Sequence, residues 1–229
     1  MTIIKICGLK DVESATVALD SGADLVGMIM VPGRARTIDP KVAKQITSLC
    51  SKRQKISSIE LLKSIDSERW VESVYGLIKN NGPYAVGVFR NQSVEEINDA
   101  VTNIGLDFVQ LHGSEPRDEY INQIKVPVIT RYIPNDLEMH RVNEPGRQLL
   151  TLFDSEAGGE GKQLNWNDLD IWGKESGAKY LLAGGLNPEN VNQAIKVHGV
   201  IGVDVSGGVE TNGVKDHVKI KEFVKNALQ

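Results

Sequence analysis

Val200-Ile201-Gly202-Val203-Asp204-Val205-Ser206-Gly207-Gly208 is an apolar run that ends in a carboxylate, a hydroxyl and two glycines. Just upstream, Lys179-Tyr180-Leu181-Leu182-Ala183-Gly184-Gly185 repeats the design. Neither run alternates apolar with polar, which marks strands buried on both faces of a parallel sheet. Each is followed by a helical pattern, Pro188 to Val197 after the first glycine pair and Asp216 to Leu228 after the second. Glycine lets a backbone approach a ligand closely and turns N–H groups toward an anion. In parallel barrels the loops after the last two strands are a common phosphate site.

Working back toward the N-terminus, the same unit recurs. Strands are expected at Ile3 to Cys7, Ala23 to Val31, Tyr84 to Arg90, Asp107 to His112, Pro127 to Ile133 and Gln148 to Asp154. Helical spacing follows from Asp11 to Ser21, with Gly22 as a stop, and from Asp39-Pro40, an N-cap with proline in the first turn. Ser93 and Glu96 form a capping box for the next helix. Pro116 opens one toward Ile124, a short helix is expected over Asp136 to Val142, and another lies near Asp168 to Lys174. Eight strands at roughly 29 residues per unit fit a βαβ repeat and predict an α/β fold, a single-domain (β/α)8 TIM barrel. An open doubly wound sheet is the competitor, but no nucleotide fingerprint follows the first strand.

Residues 51–82 break the rhythm. Ser57 and Glu60 read as a capping box, and Ile59, Leu62, Trp70, Val74 and Leu77 recur near helical spacing. We expect a helical insert between the second helix and third strand, on the N-terminal, non-catalytic face of the barrel. Its stripe is expected to be buried against the barrel.

The 229 residues are 41% hydrophobic and 24% charged, which excludes a disordered chain. A formal charge of −4 argues against nucleic acid as a partner. Two cysteines give no disulfide framework, and four histidines show no metal-ligand spacing. No run approaches the roughly 18 apolar residues of a membrane span. No secretory segment is legible, so a cytoplasmic location is expected.

Barrel chemistry sits at the C-terminal strand ends. Cys7 ends the first strand there, where free cysteine ordinarily just packs but can serve as a base beside a cation. Asp154 ends the sixth, and a carboxylate at the end of an apolar strand is costly unless used or paired. Arg34 and Arg36 follow the second, and a guanidinium suits a carboxylate. His112 reads by itself as a satisfied structural histidine. The Gly158 to Lys162 loop fails as a nucleotide-binding motif, because Gln163 follows the lysine, and suits a mobile lid.

Together these residues resemble the phosphoribosylanthranilate isomerase family of tryptophan biosynthesis, nearly end to end. The resemblance is carried by Lys5-Ile6-Cys7-Gly8, Val86-Gly87-Val88-Phe89, Val109-Gln110-Leu111-His112-Gly113, Gly158-Gly159-Glu160-Gly161, Leu182-Ala183-Gly184-Gly185-Leu186-Asn187-Pro188-Glu189-Asn190-Val191 and Val203-Asp204-Val205-Ser206-Gly207-Gly208-Val209-Glu210. Arg36-Thr37-Ile38 and Ala183 look like the fungal branch. Glu160 and Leu164 depart from the residues usual in the lid loop.

The resemblance implies an Amadori rearrangement without metal or cofactor, Asp154 as general acid and Cys7 as general base. It implies Arg36 on the anthranilate carboxylate and the backbone around Gly184, Gly185, Ser206 and Gly207 on the phosphate. Gln110, His112, Gly159 and Asp204 complete the substrate-binding set. The only partner implied is the small-molecule substrate, and a monomer is expected. Two rivals are weighed. A sugar-phosphate isomerase of histidine biosynthesis would be expected to show a pair of Asp, whereas the first strand here ends in Cys7. A catalytically dead phosphate-binding barrel would need neither Cys7 nor Asp154.

Overall fold

The computed structural model describes residues 2–155 and 164–229. Eight parallel strands, β1 (Ile3–Ile6), β2 (Leu25–Ile29), β3 (Tyr84–Phe89), β4 (Phe108–Leu111), β5 (Val128–Tyr132), β6 (Leu150–Phe153), β7 (Tyr180–Leu182) and β8 (Val200–Val205), pair in sequence order. The barrel closes between β1 and β8, in a register that sets Lys5 opposite Asp204. This is the (β/α)8 barrel that the repeat predicts.

Around it lie α1 (Val12–Ser21), α2 (Pro40–Ser51), α3 (Ser58–Lys63), α4 (Trp70–Asn81), α5 (Val94–Ala100), α6 (Arg117–Gln123), α7 (Trp166–Ser176), α8 (Val191–Ala194) and α9 (His217–Ala227). The caps explain the starts. Asp11, Asp39 and Asp216 accept N–H bonds in the first turns of α1, α2 and α9, and Ser57 and Ser93 close capping boxes on α3 and α5.

Two helices fall short of their periodicity. Asp136 to Val142 holds only a 3-10 turn, Met139–Arg141. Its charged side chains are engaged elsewhere: Arg117 binds Asp136 and Glu138, Arg141 binds Asp118 and Glu144, and Arg147 binds Asp118, Glu138 and the Tyr132 hydroxyl. The helix expected from Pro188 begins instead at Val191 and runs four residues. Asn187 Oδ1 accepts from the amides of Glu189 and Asn190, and Asn190 Oδ1 accepts from Asn187, so an Asn turn satisfies donors that a helix start would carry.

Period-two pleating sorts the barrel interior into layers. Ile3, Leu25, Tyr84, Val86, Phe108, Ile129, Leu150, Leu152 and Leu181 share an apolar floor cluster with Leu61, Val74 and Ile78 of the 51–82 segment. Trp70 Nε1 donates to Gln148 O at 3.0 Å, and Lys79 Nζ reaches Thr2 O at 3.1 Å and Asp24 Oδ2 at 3.0 Å. These partners precede strands β6, β1 and β2. The expected stripe needs correction: Ile59 and Leu62 are 39% and 41% exposed, and Leu61 and Ile78 take the buried positions. The reason is a break in the helix at Ser64, so one continuous helical period does not run through the segment.

A loss of floor packing should therefore act on stability alone. Ile78→Ala should cost about 2–5 kcal/mol in denaturant unfolding, the usual range for a fully buried large aliphatic side chain. Its kcat/KM should stay within about threefold, since chemistry sits at the other face. A folded variant with kcat/KM down by orders of magnitude would show that the floor communicates with the site.

Candidate active site

One pleat above the floor, the same inward rows turn polar. Ile3 is succeeded by Lys5 and Cys7, Phe108 by Gln110 and His112, Ile129 by Arg131, Leu152 by Asp154, and Gly202 by Asp204 and Ser206. The alternation that builds the floor thus delivers these side chains to one chamber at the C-terminal end.

Asp154 lies on one wall. It is buried, its Oδ1 accepts from Ser155 N at 2.7 Å, and its Oδ2 lies 3.6 Å from His112 Nε2. Burial pushes its carboxyl up, against the Ser155 amide and the Arg131 guanidinium. His112 is held down at about 3, first by burial and then by Arg131, Lys5 and Arg90, so its ring is neutral at physiological pH. Gln110 Nε2 lies 3.1 Å from His112 Nδ1 and donates to it, which leaves the ring proton on Nε2, facing the Asp154 carboxyl. Arg131 donates to the carbonyls of His112 and Ser155 and so ties the ends of β4 and β6 together.

Cys7 lies three strands away, just past the end of β1. Its amide donates to Val205 O at 2.8 Å, and a Cβ on Gly27 of β2 would come within 2.6 Å of its Sγ, so that glycine makes the thiol's room. Gly8 follows at φ +71°, and a Cβ there would meet Ser206 Oγ at 2.6 Å and Arg36 Cδ at 2.9 Å. Burial pushes the Cys7 thiol up, and Lys5 works against that rise.

Arg36 is clamped by both oxygens of Glu210, at 2.7 and 2.9 Å. Glu210 begins a short hairpin, β9 (Glu210–Thr211) and β10 (Val214–Lys215), whose Lys215 Nζ donates to Glu210 Oε1 and Ser206 O at 2.8 Å each. Burial would raise the Glu210 carboxyl, but its bonds from Arg36 and Lys215 prevail and hold it at about 2. Gly8, Lys10, Arg36, Glu210, Val214 and Lys215 line a cavity of about 190 Å³.

A second cavity, of about 310 Å³, is lined by Asp154, Gly184, Gly185, Asn187, Ser206 and Gly207 among others. Gly184 and Gly185 take consecutive left-handed conformations, φ +85° and +68°, a geometry that gathers backbone N–H groups. A Cβ on Gly208 would run into the Leu186 carbonyl, so the two glycine loops pack backbone to backbone. Asn190 Nδ2 donates to Gly185 O at 2.9 Å and fixes the first loop. Because α8 starts late, this cavity is faced by loop backbone and not by a helix terminus. Ser206 Oγ is buried here without a hydrogen-bond partner among the described residues. Gly159, with the rest of the expected lid, lies outside the described residues.

Residues 49–226 match the family model for N-(5′-phosphoribosyl)anthranilate (PRA) isomerase. The chain belongs to the N-(5′-phosphoribosyl)anthranilate isomerase family. The isomerase of this family from Wickerhamomyces anomalus is 61% identical over 231 residues, 99% of this chain and 100% of that one. Among solved structures, phosphoribosyl anthranilate isomerase from Thermotoga maritima is 33% identical, with a TM-score of 0.74 over 100% of this chain and 99% of that chain. Another, 32% identical with a TM-score of 0.72 over 100% and 99%, is in complex with reduced 1-(o-carboxyphenylamino)-1-deoxyribulose 5-phosphate.

The structure brings Cys7, Gln110, His112, Asp154, Asp204 and Ser206 to the chamber of this isomerase-family barrel, with Gly184, Gly185 and Gly207 at its larger cavity and Arg36 beside Gly8 and Gly207. Sequence reasoning missed Lys5, Arg131, Glu210 and Lys215 as site groups. Lys5 and Arg131 had a usable signal, a cation in the inward row of an otherwise apolar strand. Glu210 and Lys215 had none, because the hairpin that folds them back onto Arg36 carries no strong strand pattern. No described helix is long and apolar enough to cross a membrane, and no group of three potential metal ligands occurs among the described residues.

Proposed function

We propose that the chain isomerises N-(5-phosphoribosyl)anthranilate to 1-(2-carboxyphenylamino)-1-deoxyribulose 5-phosphate in tryptophan biosynthesis, an aldose–ketose isomerisation. What supports this reading is that two buried titratable side chains of opposite kind, Asp154 just after β6 and Cys7 just after β1, lie at the same end of the barrel as a double-glycine cavity.

Asp154, its carboxyl favoured by burial, gives its proton to the furanose ring oxygen as the C1′–O bond breaks. The anilino nitrogen lone pair forms the C1′=N bond of a protonated Schiff base. Cys7, as thiolate, removes the C2′ proton, and that electron pair makes C1′=C2′ and neutralises the nitrogen. The enolamine then gains a proton at C1′ and loses one from the 2′ hydroxyl to give the ketone. Loop amides at Gly184, Gly185 and Gly207 with the Ser206 hydroxyl hold the phosphate. Gln110, His112 and Asp204 line the sugar, His112 acting as a neutral donor beside Asp154. None of these steps calls for a cofactor. Incubation of the purified protein with phosphoribosylanthranilate tests the reading directly: the aminoaldose must disappear and the aminoketose accumulate, and an inert, folded protein would refute it.

Arg36 holds the anthranilate carboxylate, its guanidinium aimed by Glu210. Losing a charge-assisted contact of about 1.5–3 kcal/mol should raise KM roughly 10–100-fold in Arg36→Ala while kcat falls far less. An unchanged KM would place the carboxylate elsewhere. The same reading makes the protein a cytosolic monomer, in keeping with two buried free thiols, and sedimentation at working concentration tests the oligomeric state.

A further inference from the structure

A thiol buried to 5% exposure is a poor base, because burial opposes its ionisation. Something in the chamber must favour the thiolate. Lys5 is the candidate that the pleat supplies. It sits two residues before Cys7 in the same inward row of β1, is wholly buried, and is the cation that most opposes the effect of burial on the Cys7 thiol. Its Nζ is 3.0 Å from Asp204 Oδ1 on the neighbouring β8, in the register that sets the two residues side by side. A lysine at the centre of a barrel, where the layer beneath is all hydrocarbon, is expensive to keep unless the charge has a use.

The charges that face Cys7 show what the use is. Lys5 comes from β1, Asp204 from β8, Arg36 from the loop after β2, and Lys215 from β10. Arg36 and Lys215 share Glu210, and Lys5 holds Asp204. Three cations thus face two carboxylates in a largely buried cluster, and with Asp154, beside Lys5, set against Arg131, one positive charge is left over. A Cys7 thiolate completes the count.

We infer that Lys5 is a positioning residue for the isomerisation: its buried ammonium, shared between Asp204 and Cys7, holds the thiol in place and stabilises its thiolate. The inference rests on Cys7 being the base, and it assigns the ionisation of that base to one residue. Lys5 does not act as a nucleophile, because Asp204 and Cys7 together outweigh burial and keep its ammonium protonated.

The test is an ultraviolet titration of the thiolate in wild type and Lys5→Met, each read against a matching Cys7→Ser control. Cys50 does not interfere, since burial pushes its thiol up to about 12. The Cys7 midpoint should rise by at least about one pH unit in Lys5→Met, tenfold less thiolate at a given pH. Lys5→Met also leaves Asp204 buried without its cation and can cost folding. The pair Asp204→Asn and Lys5→Met/Asp204→Asn repeats the comparison with an uncharged partner, and the double variant should again titrate higher. Coincident midpoints in either folded pair would overturn the inference. The kcat/KM profile separates this outcome from failure of the Cys7 assignment: a thiolate midpoint that moves while every limb of the profile stays put would uphold Lys5 and remove Cys7 as the base.

Discussion

Asp154→Asn should lower kcat by roughly 10²–10⁴-fold, the usual contribution of one positioned general acid. KM should stay within about threefold, because the substitution removes a proton and leaves the anchoring groups alone. The amide is nearly isosteric with the carboxyl and can still accept the Ser155 amide bond that now goes to Oδ1. The neighbouring Arg131 keeps its carbonyl partners at His112 and Ser155. Stability should hold or rise slightly, since burial already works against the charge at this position. Stopped-flow turnover with thermal unfolding of the same samples reads both quantities. A folded Asp154→Asn with kcat near wild type would remove Asp154 as the acid, and a KM change alone would turn it into a binding residue.

How much of this is legible in the sequence depends on how local the physics is. The barrel is legible because each strand is a short apolar run whose partner is its neighbour in sequence, so eight repeats imply closure. Cys7 and Asp154 are legible because strand ends in such a barrel face one chamber. The Pro188 helix is not, because the Asn187 and Asn190 side chains compete for the same backbone donors and periodicity cannot weigh that contest. The Asp136 helix is lost to ion pairs with Arg117 and Arg147, partners 9 to 21 residues away from the carboxylates they hold. The floor stripe fails for another reason: the helix ends at Ser64 and a new one starts at Trp70, so no single period spans the segment, and Leu61 takes the buried side instead of Leu62. Lys5 shows in the sequence as a cation in an apolar row, but its use appears only when β8 is seen beside β1.

Cys7→Ala should lower kcat by a similar factor, at least about 10²-fold, and by a different route. The thiol is small and Gly27 leaves it room, so the alanine should fold with little loss of stability and bind substrate with a KM close to wild type. What disappears is the thiolate form. The carboxyl starts from 3.8 and the thiol from 9.0, and both are pushed up by burial. At neutral pH the resting thiol is therefore protonated, whereas the reaction needs a thiolate beside a carboxyl, so the productive arrangement is a minor one. A bell-shaped kcat/KM profile results, with the Asp154 ionisation as its acid limb and the Cys7 ionisation as its alkaline limb. The two variants should each erase one limb: Asp154→Asn, which no longer depends on a carboxyl, the falling alkaline one, and Cys7→Ala, which no longer depends on a thiolate, the rising acid one. Raising the thiol by one unit, as Lys5→Met should, lowers the plateau about tenfold while moving the alkaline limb up, because the productive arrangement becomes rarer. A Cys7→Ala enzyme that keeps its rising acid limb and most of its turnover would require another base in the chamber, and His112, neutral and beside Asp154, would be the group to substitute next.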